Sequence, residues 1–420
     1  MRRTLTLVAA VLSLVPALHA QGKPRENTLQ LPIGGTPGPL DAITDVAGVE
    51  VGHTTLISGS GALVVGQGPV RTGVTVVHPR GKGNPDPVFA AWFALNGNGE
   101  MTGTTWVQES GYLEGPIGIT NTHSVGVVRD AIITWEVSRK NVLQPWWLPV
   151  VAETYDGNLN DINGFHVKES HVLAALDTAT GGLPREGVVG GGTGMTCLGF
   201  KGGIGTASRR LSAAQGGWTV GVLVQCNFGS RRDLRIAGVP VGEEIPDLLP
   251  CIANAGPLPA ASTRRLCDAP PSGADRESDE QGSIIVVVAT DAPLMPHQLK
   301  RLATRVSLGI GREGGFGGNG SGDIFIAFST ANKSTWSSDS VTTVRMATND
   351  RISPLFQATA QATEAAITNA LLAAETTTGA NDLRVYAMPV DRLMAAMRKY
   401  GRIRSRLTTP VPRRSRADPR

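Results

Sequence analysis

Aromatic residues are scarce in this chain of 420 residues, where phenylalanine, tryptophan and tyrosine together make up 5%. Nucleic-acid-binding proteins combine a basic face with aromatic side chains on which bases stack, and the sequence has no such face. The formal net charge of +4 comes partly from four arginines near the C-terminus, namely Arg413, Arg414, Arg416 and Arg420. The composition therefore predicts no nucleic-acid partner and a disordered basic tail over residues 409–420.

Long apolar runs are also missing, except at the start of the chain, "MRRTLTLVAAVLSLVPALHAQ". Arg2 and Arg3 precede an apolar stretch that is too short to span a membrane, and small residues follow it. This order is typical of a secretory signal peptide. The sequence predicts that residues 1–20 are removed after Ala20 and that the mature protein is periplasmic or secreted, without a membrane partner.

Cysteine is rare, with four residues, and no Cys-x-x-Cys or Cys/His spacing predicts a metal site. Export permits disulfides. Cys251 and Cys267 share a segment rich in proline and charge, residues 243–281, which we interpret as a surface insertion and which a disulfide between them would close. Cys197 and Cys226 either pair with each other or remain buried thiols.

Glycine is abundant, with 52 residues in short clusters that follow no fixed period. This pattern predicts tight turns and close backbone contacts rather than a repeat fold. Strand-like and helix-like segments are mixed without regular alternation, which favours an α+β fold over a doubly wound sheet. The clearest helices are predicted in "RDAIITWEVSRK", "HVLAALDTAT", "PHQLKRLATRVSLGIG", "PLFQATAQATEAAITNALLAAET" and "VDRLMAAMRKY".

One serine, Ser321, stands between glycines before a strand-like run in "GGNGSGDIFIAFST". A phosphate-binding loop would follow a strand and open a helix, which is the reverse of the order here. A nucleophile elbow requires glycine two residues before the serine, where this chain has Asn319. A flexible loop that enters a buried strand is a further interpretation on spacing alone.

A third chemical interpretation is an N-terminal nucleophile. In this hypothesis the Ser321 hydroxyl attacks the Gly320 carbonyl, the amide shifts to an ester, and water releases a new chain that begins with Ser321. Gly320 has no side chain to hinder the attack. The freed α-amine, with an ordinary pKa of about 7.7–8.0, can then act as the base for the hydroxyl of the same residue.

With these motifs considered together, the chain resembles the DmpA-type aminopeptidases, the L-aminopeptidase/D-esterase family that includes the β-peptidyl aminopeptidases and belongs to the N-terminal nucleophile hydrolases. The resemblance runs from about residue 38 to about residue 407. It rests on several long motifs in the same order, among them "ITDVAGVEVGHTT", "GPIGITNTHSVG", "PVVAETYDGNLNDING", "VGGGTGMTCLGFKGGIGTASR", "GVLVQCNFGSRRDLRIAGVPVG", "VVVATDAPLMPHQLKRLATR", "GNGSGDIFIAFST" and "ATEAAITNAL".

The resemblance implies an αββα sandwich, self-cleaved into a larger chain over residues 21–320 and a smaller chain over residues 321–408. It also implies assembly of these two-chain units into a homo-oligomer. The expected activity removes N-terminal residues from short peptides, amino-acid amides or esters through an acyl-enzyme on Ser321, with no cofactor and no metal. The alternatives are an acyltransferase of the same architecture and a non-catalytic secreted binding protein.

The same resemblance places Ser321 as the nucleophile and suggests two further catalytic residues. Asn227 in "QCNFG" is the candidate oxyanion or autoprocessing donor, because an amide stabilises a tetrahedral oxyanion without exchanging a proton. A turn-capping amide is the alternative role for Asn227. Glu364 in "ATEAAI" is the candidate that binds the substrate ammonium or holds the Ser321 amine, and a solvated helix face is the alternative for Glu364.

Three residues are candidates for substrate binding. Tyr155 and Asn160 in "ETYDGNLND" either line the pocket or belong to a structural turn. The family pattern leads us to expect a hydroxyl residue near Glu364. Thr363 is the nearest one in this chain, and Ala362 occupies the neighbouring position. A second departure is Glu313 in "GREGG", where we expect threonine.

Overall fold

The computed structural model describes residues 22–140, 143–254, 265–269, 281–336 and 341–403. The predicted signal peptide and basic tail lie outside these residues. The described strands are β1 Glu50–Ser58, β2 Val70–His78, β3 Val88–Gly97, β4 Tyr112–Leu113, β5 Ile117–Asn121, β6 Val150–Thr154, β7 Thr196–Cys197, β8 Phe200–Lys201, β9 Gly203–Arg210, β10 Thr219–Asn227, β11 Cys251–Ile252, β12 Gln281–Thr290, β13 Gly320–Ser329, β14 Thr377–Thr378 and β15 Leu383–Val385. The described α-helices are α1 Thr104–Ser110, α2 Val125–Arg139, α3 Glu169–Thr178, α4 Val241–Glu244, α5 Pro296–Arg312, α6 Ser353–Ala373 and α7 Val390–Lys399.

Two sheets form the centre of the fold. One has the strand order β1-β2-β5-β6, and the larger one has the order β4-β3-β13-β12-β10-β9. The central strands β12 and β13 run parallel to each other, while β3 and β10 pair with them antiparallel. Strands buried on both faces carry nearly continuous apolar runs, which explains the sequences "IIVVVA" and "IFIAF".

Three apolar cores separate four layers. Helices α2 and α3 pack on the smaller sheet, with Val128 and Leu176 in their shared core. A second core lies between the two sheets and includes Ile119 and Ile324. Helices α5, α6 and α7 cover the outer face of the larger sheet. The order of the layers is therefore helix, sheet, sheet, helix, which confirms the predicted αββα sandwich.

The five predicted helices are present, with bounds that differ from the predicted segments by a few residues. Helix α5 begins with Pro296 at its first position and buries Leu299, Leu302 and Val306 along one face. Strand-like segments in the sequence match seven of the described strands, namely β1, β2, β5, β6, β10, β12 and β13, but the sequence pattern does not predict β3 or β9. In β9, a Cβ atom on Gly205 would lie 2.6 Å from the Ala370 nitrogen, so this glycine lets α6 lie close to the sheet.

The segment predicted as a surface insertion, residues 243–281, is described only in part. It starts inside α4, and its strand β11 pairs with β15 in a small three-stranded sheet. Within the segment that we interpreted as a surface insertion, Cys251 and Ile252 are thus buried in a strand pairing. The disulfide between Cys251 and Cys267 is formed, and Cys197 pairs with Cys226. Among the described residues, no helix has the length and apolar character needed to cross a bilayer.

Candidate active site

Ser321 lies at the start of the central strand β13, where it pairs with Gly282 of β12. The side chain is fully buried, and its hydroxyl donates a hydrogen bond of 2.7 Å to Oδ1 of Asp323. Residues two positions apart on a strand share a face. Ser321 and Asp323 therefore lie on the face that Phe325 buries beneath the helices, while Ile324 faces the other sheet.

The bond between Gly320 and Ser321 is surrounded by the turn that follows β3. Asn98 donates from Nδ2 to the Gly320 carbonyl oxygen over 3.0 Å. Asn96 donates to the Gly318 carbonyl oxygen over 2.9 Å and accepts from the backbone nitrogen of Asp323 over 2.9 Å. Asn96 near the end of β3 and Asn98 in the turn that follows thus contact the backbone on both sides of Ser321.

Close packing explains the glycine after Ser321. A Cβ atom on Gly322 would lie 2.5 Å from the carbonyl oxygen of Asn98 and 2.7 Å from the Cα atom of Gly99. Any larger residue would therefore push this turn away from the strand. The backbone nitrogen of Gly322 also donates to Oγ of Ser283 over 3.1 Å, which fixes the start of β13 against β12.

Glu153, near the end of β6, is a buried carboxylate beside this turn that the sequence analysis missed. Its side chain accepts hydrogen bonds from the Glu100 backbone nitrogen, over 3.0 Å, and from the Thr122 hydroxyl. A Cβ atom on Gly99 would lie 3.3 Å from Oε1 of Glu153 and 3.2 Å from the Cα atom of Gly322. Burial raises the pKa of Glu153. A single acid that ends the apolar run "PVVAET" was the signal for this residue.

Asn227 ends β10 on the opposite face of the sheet from the Ser321 hydroxyl. Its neighbour Cys226 packs in the core beneath the helices, so Asn227 points towards the smaller sheet. There its Nδ2 donates to the Tyr155 carbonyl oxygen over 3.0 Å, and its Oδ1 accepts from the Thr196 backbone nitrogen over 2.8 Å. The structure does not bring the Asn227 amide to the Ser321 hydroxyl in the uncut chain.

Glu364 lies on α6 and is paired with Arg312 at the end of α5, with 3.0 Å between Oε2 and Nη1. The structure thus gives this buried carboxylate a partner other than Ser321. Thr363 is fully buried and donates its hydroxyl to the Thr359 carbonyl oxygen within the same helix over 2.8 Å. A Cβ atom on Gly309 of α5 would lie 2.5 Å from the Cβ atom of Thr363, which places Thr363 in the contact between two helices.

Glu313, where we expected threonine, is also fully buried. Its Oε1 accepts a hydrogen bond of 3.0 Å from the hydroxyl of Thr368 on α6. Burial raises the pKa of Glu313 well above its ordinary value, and the charge of Glu364 raises it further. The two carboxyl groups therefore interact at the end of α5, where burial and the charge of Glu364 favour the protonated form of Glu313 and Arg312 pairs with Glu364.

The two residues predicted from "ETYDGNLND" have different surroundings. Tyr155 is 46% exposed and is the first residue after β6, the strand that carries Glu153. Asn160 is buried, where it accepts from the Arg71 backbone nitrogen over 2.9 Å and donates to Asp156 over 3.0 Å. Only Tyr155 is placed where a substrate could contact its side chain.

A family model for peptidase family S58 matches residues 41–385. The chain belongs to this family. It is 54% identical over 400 residues to the β-peptidyl aminopeptidase BapA of Sphingosinicella microcystinivorans, an alignment that covers 94% of this chain and 97% of the relative. The enzyme of the same name from Sphingosinicella xenopeptidilytica is 46% identical over 398 residues, with 94% and 96% covered.

The folds of two solved aminopeptidase structures agree with the assignment of the chain to peptidase family S58. The L-aminopeptidase D-Ala-esterase/amidase of Ochrobactrum anthropi, a serine aminopeptidase described as a variant of the Ntn hydrolase fold, superposes with a TM-score of 0.79 at 46% identity. A β-aminopeptidase of Burkholderia sp. superposes with a TM-score of 0.77 at 47% identity. Each alignment covers 90% of this chain and 99% of the other. The chain is therefore a hydrolase of the aminopeptidase type with an Ntn hydrolase-like fold.

Proposed function

We propose that the chain is an exported, self-processing serine aminopeptidase that forms an acyl-enzyme on Ser321. The observation that carries the proposal is the position of Ser321, a buried serine at the start of a central strand, directly after the exposed residue Gly320. Cleavage of the Gly320–Ser321 bond leaves a serine with a free amine at the head of a rigid strand. One residue then supplies both nucleophile and base.

In turnover, the Ser321 hydroxyl attacks the carbonyl carbon of the N-terminal residue of the substrate while the Ser321 amine accepts its proton. The same amine returns the proton to the leaving group, and water then hydrolyses the ester. An unperturbed α-amine has a pKa of about 7.7–8.0, so roughly a tenth to a sixth of it is unprotonated at pH 7, and more in mildly alkaline solution. That share is what a general base needs.

Glu153 is the group that we propose for binding the substrate ammonium. Its carboxylate lies beside Gly99, which contacts the strand of the nucleophile at Gly322, and its side chain is 3% exposed. A buried carboxylate without a cation is costly, so an incoming ammonium stabilises it. An aminopeptidase needs such an anion at a fixed distance from its nucleophile, because only the N-terminal residue of a peptide carries an ammonium close to the carbonyl that is attacked.

The proposed substrates are short peptides, amino-acid amides or esters, with peptides that start with a β-amino acid placed first. Support for this order comes from the two curated relatives, both named β-peptidyl aminopeptidases, at 54% and 46% identity. Tyr155 follows Glu153 by two residues and is exposed. We propose that its ring contacts the substrate side chain.

Export and assembly are further parts of the proposal. The N-terminal segment has the order of a signal peptide, and two disulfides suit the oxidising compartment outside the cytoplasm. We propose a periplasmic or secreted homo-oligomer of two-chain units. Fractionation of cells that express the full chain, followed by light scattering of the purified enzyme, tests both points.

The intact mass of the denatured protein tests the nucleophile. Wild type is expected to give two fragments, the smaller of which begins Ser-Gly-Asp-Ile, and to hydrolyse a β-peptide. The Ser321→Ala variant is expected to give one chain and no turnover. If the wild-type chain stays uncut and still hydrolyses the substrate, the N-terminal nucleophile is excluded and another group must act as the base.

A further inference from the structure

Cleavage of the Gly320–Ser321 bond raises a chemical problem that turnover does not. In the mature enzyme the α-amine of Ser321 serves as base, but in the uncut chain this nitrogen is part of the peptide bond that must break. An amide nitrogen cannot accept a proton from the hydroxyl. The self-cleavage that we propose therefore requires a base and an oxyanion donor from other residues.

The uncut chain has a candidate for each of these roles. The Ser321 hydroxyl donates to Asp323 Oδ1 over 2.7 Å, with both side chains fully buried. The carbonyl oxygen of Gly320, on which the negative charge would develop, accepts from Asn98 Nδ2 over 3.0 Å. From this arrangement we infer that Asp323 is the general base, and Asn98 the oxyanion donor, of the self-cleavage.

The steps balance as follows. Asp323 accepts the hydroxyl proton as Oγ of Ser321 bonds to the carbonyl carbon of Gly320, and Asn98 holds the resulting oxyanion. The tetrahedral intermediate collapses when the bond from that carbon to the Ser321 nitrogen breaks, and the nitrogen takes the proton back from Asp323. Water then hydrolyses the ester to a carboxylate on Gly320 and a free hydroxyl on Ser321.

Burial suits the two halves of this reaction. The Ser321 hydroxyl and the Asp323 carboxylate are shielded from water, which strengthens the hydrogen bond between them. Gly320 and Asn98 are exposed, so water can reach the ester in the second half. Asn96 is a positioning residue, because its amide bonds both to the Asp323 backbone and to the Gly318 carbonyl.

The test measures how fast newly made full-length chain is cut, by denatured mass against time, in four variants. Asp323→Asn keeps the size of the side chain but removes the base, and Asn98→Ala removes the donor. Asp291→Asn and Asn332→Ala are the matched controls, since both residues lie near the far end of the larger sheet, where Asp291 accepts from the Thr219 nitrogen and Asn332 bonds Arg345.

Asp323→Asn and Asn98→Ala are each expected to slow the cutting by on the order of 100-fold or more. In wild type the rate is expected to fall at acid pH as the base is protonated, and in Asp323→Asn this dependence should be lost. A purely structural role for Asp323 would instead lower stability and leave the pH profile unchanged.

This inference rests on the proposed function, but the two can fail separately. If wild type is never cut before Ser321, the proposed function is wrong. If wild type is cut and either Asp323→Asn or Asn98→Ala, shown to be folded by circular dichroism, is cut equally fast, the role assigned to that residue is overturned while the nucleophile stands.

Discussion

Asn227 and Ser321 project from opposite faces of the larger sheet, two strands apart, in the uncut chain. The Asn227 amide points to the smaller sheet, where Glu153 also lies, and the Ser321 hydroxyl points to Asp323 beneath the helices. Cutting would make Ser321 a chain terminus, free to turn its hydroxyl towards the substrate. The two stages of the enzyme would then use different amides for the oxyanion.

This separation predicts the behaviour of Asn227→Ala. The variant is expected to be cut at the wild-type rate, because Asn98 and not Asn227 contacts the Gly320 carbonyl. Turnover by the cut enzyme is expected to fall by about 100-fold or more if the amide stabilises the substrate oxyanion. The measurements are denatured mass against time and kcat of the cut fraction. Asn98→Ala should instead be cut slowly, and equal defects of Asn227→Ala in both assays would contradict the division of roles.

Glu153→Gln is expected to raise KM and to lower kcat/KM by about 10- to 100-fold. This factor corresponds to the binding free energy that one charge-assisted hydrogen bond contributes. The carboxylate must be ionised to bind an ammonium, and burial raises its pKa. The Ser321 amine, which must be unprotonated to act as the base, also lowers activity at acid pH. Below both pKa values, the slope of log kcat/KM against pH should therefore be about two in wild type and about one in Glu153→Gln, where only the amine remains to be titrated.

Glu100→Gln is the matched control for that experiment. Glu100 is exposed, and its charge contributes to the raised pKa of Glu153. Its removal should leave kcat/KM at neutral pH nearly unchanged, keep the slope of about two, and move the part of the acid limb due to Glu153 to lower pH. A slope of about two that persists in Glu153→Gln would assign the second titration to another group.

Much of the fold follows from local pattern, because buried strands and amphipathic helices leave a signal within ten to twenty residues. The Gly-Ser stretch also singled out Ser321 as a candidate, and the glycine that follows it, Gly322, packs closely against Asn98 and Gly99. The contacts of the site itself are long-range. Asn98 and Gly320 are 222 positions apart, and no periodicity in the sequence predicts that they meet.

Glu364 shows why a helix position alone did not decide the site. Its carboxylate lies in an alanine-rich helix, and the partner of that carboxylate comes from α5 as Arg312. Strand β9 was missed for a similar reason. Its sequence "GIGTASRR" has little apolar character, and its backbone forms a strand because small residues let α6 lie close to it.

Glu313 makes the stability depend on pH in a direction opposite to that of most carboxylates. Its pKa in the folded chain is raised by burial, so the folded chain binds a proton that the unfolded chain releases. The stability from this group is present at acid pH and is lost as the pH rises through the folded pKa. Glu313→Gln is expected to remove this loss, as urea unfolding at several pH values would show. A variant with an unchanged pH slope would mean that Glu313 is ionised when folded.

Lys201 is fully buried, and its ammonium donates to the carbonyl oxygens of Met195, Gly202 and Gly192 at 2.7, 2.9 and 3.4 Å. Burial lowers its pKa to about 7. The unfolding free energies of wild type and variant should therefore be compared at mildly acidic pH, where the ammonium is charged. Lys201→Met leaves three buried carbonyls without their donor and is expected to lower the free energy of unfolding by on the order of 3 kcal/mol.

The same substitution at Lys82 is the control for Lys201→Met. The Lys82 ammonium also donates to two carbonyl oxygens, those of Asp177 and Ala179, each over 2.9 Å, but it lies at the surface. Water can replace it there, so Lys82→Met should cost less than about 1 kcal/mol. Urea unfolding of both variants measures the difference. An equal loss of unfolding free energy in both variants would mean that the three carbonyls around Lys201 find other donors. The buried ammonium would then contribute little to the stability of the segment between Gly192 and Gly202.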